Sequence, residues 1–459
     1  MNHNFNPVIL RKYDIRGVYD KDFNATDGYY IGRCFAEIVK ENKGTTVVVG
    51  YDGRLSSPTL EKSITQGLCD SGLDVIQIGL VPTPVLYFSI KTLKAAGGMM
   101  ITGSHNAGHY NGVKMALYDR PVWGKDIEAF PEMVPNFCES PTKGSVEKFD
   151  AITPFIEKMT NLAQFKNSAK IVWDISNGAA GAVMPDLITK LPGTHILLNE
   201  KIDGTFPNHD PDPTKLENLG QLISSIKKNK ADLGIAFDGD GDRICAVTND
   251  GKQVLGDLLL IFFAHDILQE NPGAPIIADI KASQVFIDQI IKMGGKPMLL
   301  PTGHSNIKAA MKEYNCPLAG ELSGHIFFAE NHGYDDAIYA SIKLLNILAE
   351  KKYGFSELVN ALPKTYTTPE IRIECPESLK FGIIESIQKD VMKIKNVDVT
   401  TIDGVRVQTD HGWWLARASN TENCIIIRAE SITPEGLKDL VHTLKEFLGR
   451  YNLSFENCK

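Results

Sequence analysis

The chain has 459 residues, more than one hydrophobic core usually organises, and at roughly 150 residues per domain it calls for about three units. With 43% hydrophobic and 23% charged residues it has the composition of an ordinary globular protein, which excludes a disordered or fibrous chain. A net charge of -8 excludes a broad surface for nucleic acid or anionic membrane, so any basic site must be local.

In residues 1–150, apolar β-branched runs alternate with helical patterns. Strands are expected at Thr45 to Val49, Val75 to Ile78 and Met99 to Thr102, with helices from Pro58 to Asp70 and Val85 to Leu93. That alternation implies βαβ crossovers and a parallel sheet. A second unit, 151–254, opens with Ile171-Val172-Trp173 running into a small-residue turn and helix at Ser176 to Gly181, and its last long strand is Ile244 to Val247. A third, 255–366, reads as helix Asp257 to Leu268, strand Pro275 to Asp279, helix Ser283 to Lys292, strand Pro297 to Leu300 and a closing helix Ala337 to Lys351.

Residues 367–459 differ. Strands at Glu370 to Cys375, Gly404 to Thr409, Trp413 to Ala418 and Cys424 to Ala429, with helices Glu377 to Met392 and Pro434 to Leu448, predict an antiparallel α+β unit. The expected fold class is α/β: three related α/β domains with mixed, mainly parallel sheets, plus a C-terminal α+β domain.

Eight cysteines are scattered singly, none in a C-x-x-C or zinc spacing, and read as reduced, mostly buried thiols. The sequence shows neither the order of a signal peptide nor an apolar run of about 18 residues, so a cytoplasmic location is expected.

The strongest local signal is Asp238-Gly239-Asp240-Gly241-Asp242-Arg243, placed where the apolar run Leu233 to Phe237 ends. Alternating carboxylates separated by glycines can converge on one hard cation, and magnesium or a similar oxygen-loving ion fits. An EF-hand would need glycine at its sixth position and glutamate at its twelfth, where Arg243 and Asn249 stand. Thr102-Gly103-Ser104-His105-Asn106 follows the strand Met99 to Ile101, at the end where parallel sheets place ligands. A serine there can act as a nucleophile. A cation on the aspartate loop would neutralise charge on a phosphoryl group transferred to it, so phosphoryl transfer is the leading reaction class.

Gly320-Glu321-Leu322-Ser323-Gly324-His325 offers a carboxylate, a hydroxyl and an imidazole suited to a polyol, and His325 can serve as general acid or base. Arg417-Ala418-Ser419-Asn420-Thr421-Glu422-Asn423, in a turn between strands, concentrates donors that match a phosphate dianion. Tyr13-Asp14-Ile15-Arg16-Gly17, Lys114, Lys281 and Gly303-His304-Ser305 are lesser candidates.

In this order along nearly the whole chain, Lys12 to Gly17, Thr102 to Asn106, Asp238 to Arg243, Gly320 to His325 and Arg417 to Thr421 resemble the α-D-phosphohexomutase superfamily, specifically its bacterial phosphomannomutase/phosphoglucomutase branch. The resemblance implies four domains in a heart shape, the last like the TATA-box-binding protein, with the active site at their centre. It implies an isomerase that interconverts hexose 1-phosphate and hexose 6-phosphate through phospho-Ser104 and a hexose 1,6-bisphosphate intermediate. Ser104 would ligate Mg2+ with Asp238, Asp240 and Asp242, and Arg243 and His105 would stand beside it.

By the same analogy Lys114 approaches the reacting groups, and Tyr13, Arg16, Lys281 and His304 line the sugar cleft. Glu321 and Ser323 would hold the 3- and 4-hydroxyls, and Arg417, Ser419, Asn420 and Thr421 the phosphate that is not reacting. His325 and Lys114 stand as alternative general bases. Leu322 and the Lys12 to Arg16 opening favour mannose and glucose phosphates over glucosamine phosphate. The implied partner is a small phosphosugar, with neither nucleic acid nor membrane, for a monomer or weak dimer. Phosphoglucosamine mutase, a phosphosugar phosphatase and a non-catalytic phosphosugar-binding protein are the competing readings.

Overall fold

A strand buried on both faces needs no polar alternation, which is why short apolar runs such as Gly97–Ile101 and Leu233–Phe237 are buried at every residue. The computed structural model describes residues 3–137, 140–165, 169–351, 354–395, 397–420 and 422–455.

The first sheet runs Ile15–Val18, Tyr110–Leu117, Gly97–Ile101, Thr46–Tyr51, Asp74–Leu80, Val146–Lys148, with Pro121–Val122 beside Tyr110–Leu117. Gly97–Ile101, Thr46–Tyr51, Asp74–Leu80 and Val146–Lys148 are mutually parallel. Tyr110–Leu117 is antiparallel to both of its long neighbours, so this sheet is mixed and mainly parallel, as the expected fold class has it, with a strand that the crossovers alone do not imply. The apolar alternation of 110–117 is broken by Asn111 and Lys114, both buried, which hid the strand. Helix Ala25–Glu41 was also not anticipated. Its start is a capping box in which Asn24 accepts from Thr26 N and Asp27 from Asn24 N, at 2.8 Å each.

The second sheet orders Gln253–Val254, Ile244–Thr248, Leu233–Phe237, Lys170–Asp174, Thr194–Leu198. The helix expected after Lys170–Asp174 is reduced to a 3-10 turn, Ala179–Ala182, and a short helix, Met184–Ile188, because Ser176 and Asn177 adopt left-handed backbone first. The third sheet orders Lys296–Leu300, Pro275–Asp279, Leu318–Gly320, Ile326–Phe328. Residues beyond 366 form a six-stranded antiparallel sheet backed by helices Glu377–Val391 and Pro434–Gly449.

One apolar cluster joins the first three units, running from Val48 and Met100 through Trp173 and Phe237 to Phe263 and Leu344. The fourth unit has its own core around Trp414, Ile427 and Leu444. It meets the third where Trp413 and Leu415 pack on Ile280. There the buried Arg406 donates to the carbonyls of Ile280 and Ala282, and Arg428 to that of Lys281. The fourth unit is thus latched by charge-assisted bonds onto the loop that carries Lys281.

Among the described residues six cysteines are free and buried, and no helix is long and apolar enough to cross a membrane. Cys138 and Cys458 lie outside the described residues.

Candidate active site

Each sheet contributes a loop at the tip of an antiparallel pair. The four tips are 102–109, between Gly97–Ile101 and Tyr110–Leu117; 238–243, between Leu233–Phe237 and Ile244–Thr248; 321–325, between Leu318–Gly320 and Ile326–Phe328; and 419–423, between Gly412–Ala418 and Cys424–Ser431. They converge on a cleft of about 610 Å³ lined by Tyr13, Arg16, His105, Arg243, Lys281, His304, Glu321, Ser323, His325, Arg417, Ser419 and Asn420. Ser104, Lys114, Asp238, Asp240 and Asp242 lie just beneath this lining, each 3% exposed or less. Thr421 lies outside the described residues.

Ser104 sits at φ +50°, a left-handed conformation that a non-glycine residue holds only where its surroundings enforce it. The enforcement comes from Arg54, a residue that the sequence reading passed over. Its buried guanidinium pairs with Asp52 at 3.0 Å and donates to the carbonyls of Ser104, Asn106, Ala107 and Tyr110 at 2.6–2.9 Å. Ser104 Oγ donates to Asp238 Oδ2 at 3.1 Å and lies 3.3 Å from His105 Nδ1. Glycine at 239 is required by this approach, since a Cβ there would stand 2.5 Å from the Ser104 carbonyl oxygen.

The three aspartates offer ligand atoms within 4.8 Å of one another. Asp238 Oδ1 accepts from the backbone of Asp242 and Arg243 at 3.1 and 3.2 Å, fixing the loop. Lys114 Nζ donates to Asp240 at 2.7 Å and also to Asp242. Oδ1 of Asp240 and Oδ1 of Asp242 are buried without a hydrogen-bond partner. Burial and repulsion from Asp240 and Asp242 push the Asp238 carboxyl well above its usual range. Concentrated, incompletely satisfied negative charge of this kind fits a divalent cation, which would relieve both burial and repulsion. Burial opposes protonation of Lys114, yet Asp240 and Asp242 outweigh it and raise its pKa, so it stays an ammonium.

His325 takes its orientation from both sides. Arg243 Nε donates to its Nε2 at 2.9 Å, so that nitrogen carries the lone pair and the proton resides on Nδ1. Nδ1 faces Asp335 Oδ2 at 2.8 Å and Asp242 Oδ1 at 3.5 Å. Although burial opposes it, Lys308, 2.6 Å from Asp335, holds this carboxyl well below the ordinary range together with His325. Neither Asp335 nor Lys308 was singled out from sequence, because each stands outside any recognisable loop motif. His304 is driven well below its usual pKa by burial and by Lys308.

On the opposite wall, Glu321 Oε1 accepts from Gly303 N at 2.5 Å and Glu321 Oε2 from Ser323 Oγ at 3.4 Å. Lys281 lies 3.0 Å from Glu370 and 3.5 Å from Asp279. Arg16 pairs with Asp14 and donates to Asn106 Oδ1 at 2.8 Å. Arg417 is held by Asp403 through Nε at 2.9 Å, and Asn420 donates to the Tyr13 hydroxyl at 2.7 Å, joining the first unit to the fourth. Cationic and hydroxyl donors suited to an anion stand at one end, and the serine with aspartates suited to a cation at the other, so the cleft has two chemically different poles.

The sequence matches the family descriptions for phosphoglucomutase/phosphomannomutase in four pieces: alpha/beta/alpha domain I over residues 7–128, domain II over 153–251, domain III over 255–366 and the C-terminal domain over 370–447. A phosphomannomutase/phosphoglucomutase of Pseudomonas syringae pv. tomato is 43% identical over 432 residues, 94% of this chain and 93% of that protein. A phosphoglucomutase of Neisseria gonorrhoeae is 38% identical over 95% of this chain and 96% of its own. A crystal structure of a phosphoglucomutase/phosphomannomutase family protein from Burkholderia thailandensis superposes with a TM-score of 0.92 at 36% identity, covering 98% of this chain and all of that one.

Proposed function

We infer the mechanism from one premise: the chain belongs to the phosphoglucomutase/phosphomannomutase family and is a hexose-phosphate mutase, an isomerase. In the finer reading, units 1–150, 151–254, 255–366 and 367–459 each contribute one loop, and Ser104 carries the phosphoryl group. The observation that carries it is the hydrogen bond of Ser104 Oγ to Asp238 within a loop that Arg54 holds in a strained form. Asp238, Asp240 and Asp242, with Ser104, would hold Mg2+, which supplies charge neutralisation at the transferring phosphoryl oxygens.

A hexose monophosphate binds with its unreactive phosphate on Arg417, Ser419 and Asn420, with Thr421 in the same loop, and its hydroxyls on Glu321 and Ser323. Tyr13, Arg16, Lys281 and His304 complete the wall. Its free hydroxyl takes the place where Arg243 N–H now points, at His325 Nε2. The Oγ–P bond of phospho-Ser104 breaks as the sugar O–P bond forms. The hydroxyl proton passes to His325 Nε2 and is returned to the departing Oγ, beside His105, so the half-reaction takes up no net proton. The 1,6-bisphosphate then turns end for end and the steps run in reverse. Lys114, kept as an ammonium, steadies phosphoryl charge instead of accepting the proton.

Both mannose and glucose phosphates are substrates in this reading, because the grip is on the phosphate and on the hydroxyls that the two sugars share. Intact-mass measurement after incubation with Mg2+ and glucose 1,6-bisphosphate tests it. One added phosphoryl group that disappears in Ser104→Ala is expected, and an unmodified wild-type protein that still turns over would sink it.

A further inference from the structure

The loop 419–423, which the proposed mechanism gives to the unreactive phosphate, is tied from behind by a buried cation. Lys380 lies in the first turn of the helix Glu377–Val391, and its side chain is fully buried. Its ammonium donates to the Glu422 carbonyl at 3.0 Å and to Glu377 Oε2 at 2.6 Å, and it lies 5.1 Å from the ring centroid of Phe381. The residues leading into the same helix take the next carbonyl, since Cys375 N donates to Asn423 O at 2.9 Å. Neither Cys375 nor Lys380 lines the cleft. Two successive carbonyls of the turn are therefore drawn away from the substrate side, toward residues 375–380.

On local grounds lysine is a poor choice here. An ammonium in the first turn of a helix opposes the macrodipole, and burying it costs desolvation. Leucine or methionine would meet a need for packing alone. The other holds on Glu422 are weaker or internal to the turn. Its carboxylate meets Arg372 at 3.2 Å, but both side chains are at least 40% exposed, where such pairs contribute little. Its N–H donates to Ser419 Oγ at 3.1 Å, and Ser419 N to the Cys424 carbonyl at 3.0 Å, both within the hairpin. The Lys380 bond is charge-assisted, buried and anchored outside the hairpin.

We propose that Lys380 is a positioning residue for the phosphate loop: by holding the Glu422 carbonyl it keeps Arg417, Ser419 and Asn420 in one fixed array of donors. The inference rests on the reading of this loop as the seat of the unreactive phosphate. That phosphate is bound alike in the ground and transition states, so a loosened array weakens binding more than it slows the chemistry.

The test is steady-state kinetics of the whole enzyme with glucose 1-phosphate and with glucose 6-phosphate, on Lys380→Met and Glu377→Gln. Methionine fills the buried space and removes the donor, whereas glutamine still offers the ammonium an acceptor and leaves its bond to Glu422 in place. Lys380→Met should raise KM for both substrates roughly tenfold, with kcat lowered at most about threefold. Glu377→Gln, at a half-exposed side chain, should keep KM within about twofold. Partial loss of folded protein lowers the apparent kcat and leaves KM alone, so a purely stabilising lysine would not move KM. An unchanged KM in Lys380→Met, a Lys380→Met chain that does not fold, or equal rises of KM in the two variants would each leave Lys380 a structural role only and overturn the proposal. Arg417→Ala is measured alongside. If its KM rises and that of Lys380→Met does not, the loop still holds phosphate and the inference about Lys380 falls; if neither rises, the phosphate reading of the loop falls with it.

Discussion

His325 Nδ1 lies 2.8 Å from Asp335 Oδ2, and Lys308 closes on the other oxygen of that carboxylate at 2.6 Å. The Arg243 Nε–H on Nε2 fixes the tautomer that leaves this nitrogen its lone pair, and the carboxylate beside Nδ1 favours the proton there. Asp335→Asn removes that charge while keeping the shape. The expected result is a fall in kcat on the order of 10²–10⁴-fold with KM changed little, since Asp335 acts on His325 at 2.8 Å and not on Glu321 or Ser323, the residues proposed to grip the sugar hydroxyls. Asp335→Glu should recover part of it. A rise in KM at unchanged kcat would assign Asp335 to binding instead.

The Ser104 loop depends on Arg54, whose removal leaves Asp52 buried and unpaired and four carbonyls without their donor. Breaking a buried pair from one side costs about 3–5 kcal/mol. Arg54→Met should therefore lower Tm by several degrees in a thermal scan and abolish the phospho-Ser104 adduct even where folding persists. A variant of normal stability and full phosphorylation would contradict the clamp.

Divalent cation should stabilise the folded protein, because the aspartate cluster exists only there. Added Mg2+ at about 100 times its dissociation constant should contribute roughly 2.7 kcal/mol, seen as a raised Tm that a chelator reverses. Asp240→Asn should remove most of that rise, together with turnover. A Tm indifferent to Mg2+ would leave the cluster without its ion.

How much of this was legible turns on where each residue sits relative to a motif. The aspartate loop, Ser104, Glu321 and Arg417 stand in short glycine-rich or polar segments at strand ends, and turn chemistry marks such segments locally. Arg54, Asp335 and Lys308 act by long-range contact: Arg54 reaches residues 50 to 56 positions away, and Lys308 reaches Tyr87 across 221. Local periodicity carries no record of such partners. In the fold, the crossover strands and the C-terminal hairpins were readable from apolar runs. Tyr110–Leu117 was not, because its buried Asn111 and Lys114 serve Ser57 and the aspartates and break the apolar pattern.

Docking of the fourth unit is sensitive to acid through Glu370. Burial opposes its ionisation, but Lys281 at 3.0 Å brings its pKa down to about 2 from 4.5. A carboxylate depressed in the folded state contributes stability that is fully present above 4.5 and is lost as pH falls toward 2. The Tm difference between wild type and Glu370→Gln should accordingly be larger at pH 7 than at pH 3. A difference independent of pH would show that Glu370 acts by packing alone.

In the proposed mechanism Arg417 holds the phosphate that does not react, and that phosphate is the same in mannose 1-phosphate and glucose 1-phosphate. Its guanidinium is positioned by Asp403, and Asp403 also accepts from Thr302 N at 3.0 Å, so the fourth unit presents it in register with the third. Truncation to alanine removes a charged contact of a kind that costs about 2–5 kcal/mol, or roughly 30-fold and more in kcat/KM. The loss should fall equally on both sugars, since the contact does not see the 2-hydroxyl at which they differ. A coupled assay with each sugar on Arg417→Ala measures the ratio of the two losses. A ratio near one supports phosphate recognition by this loop, and a loss confined to one sugar would move Arg417 to the sugar ring.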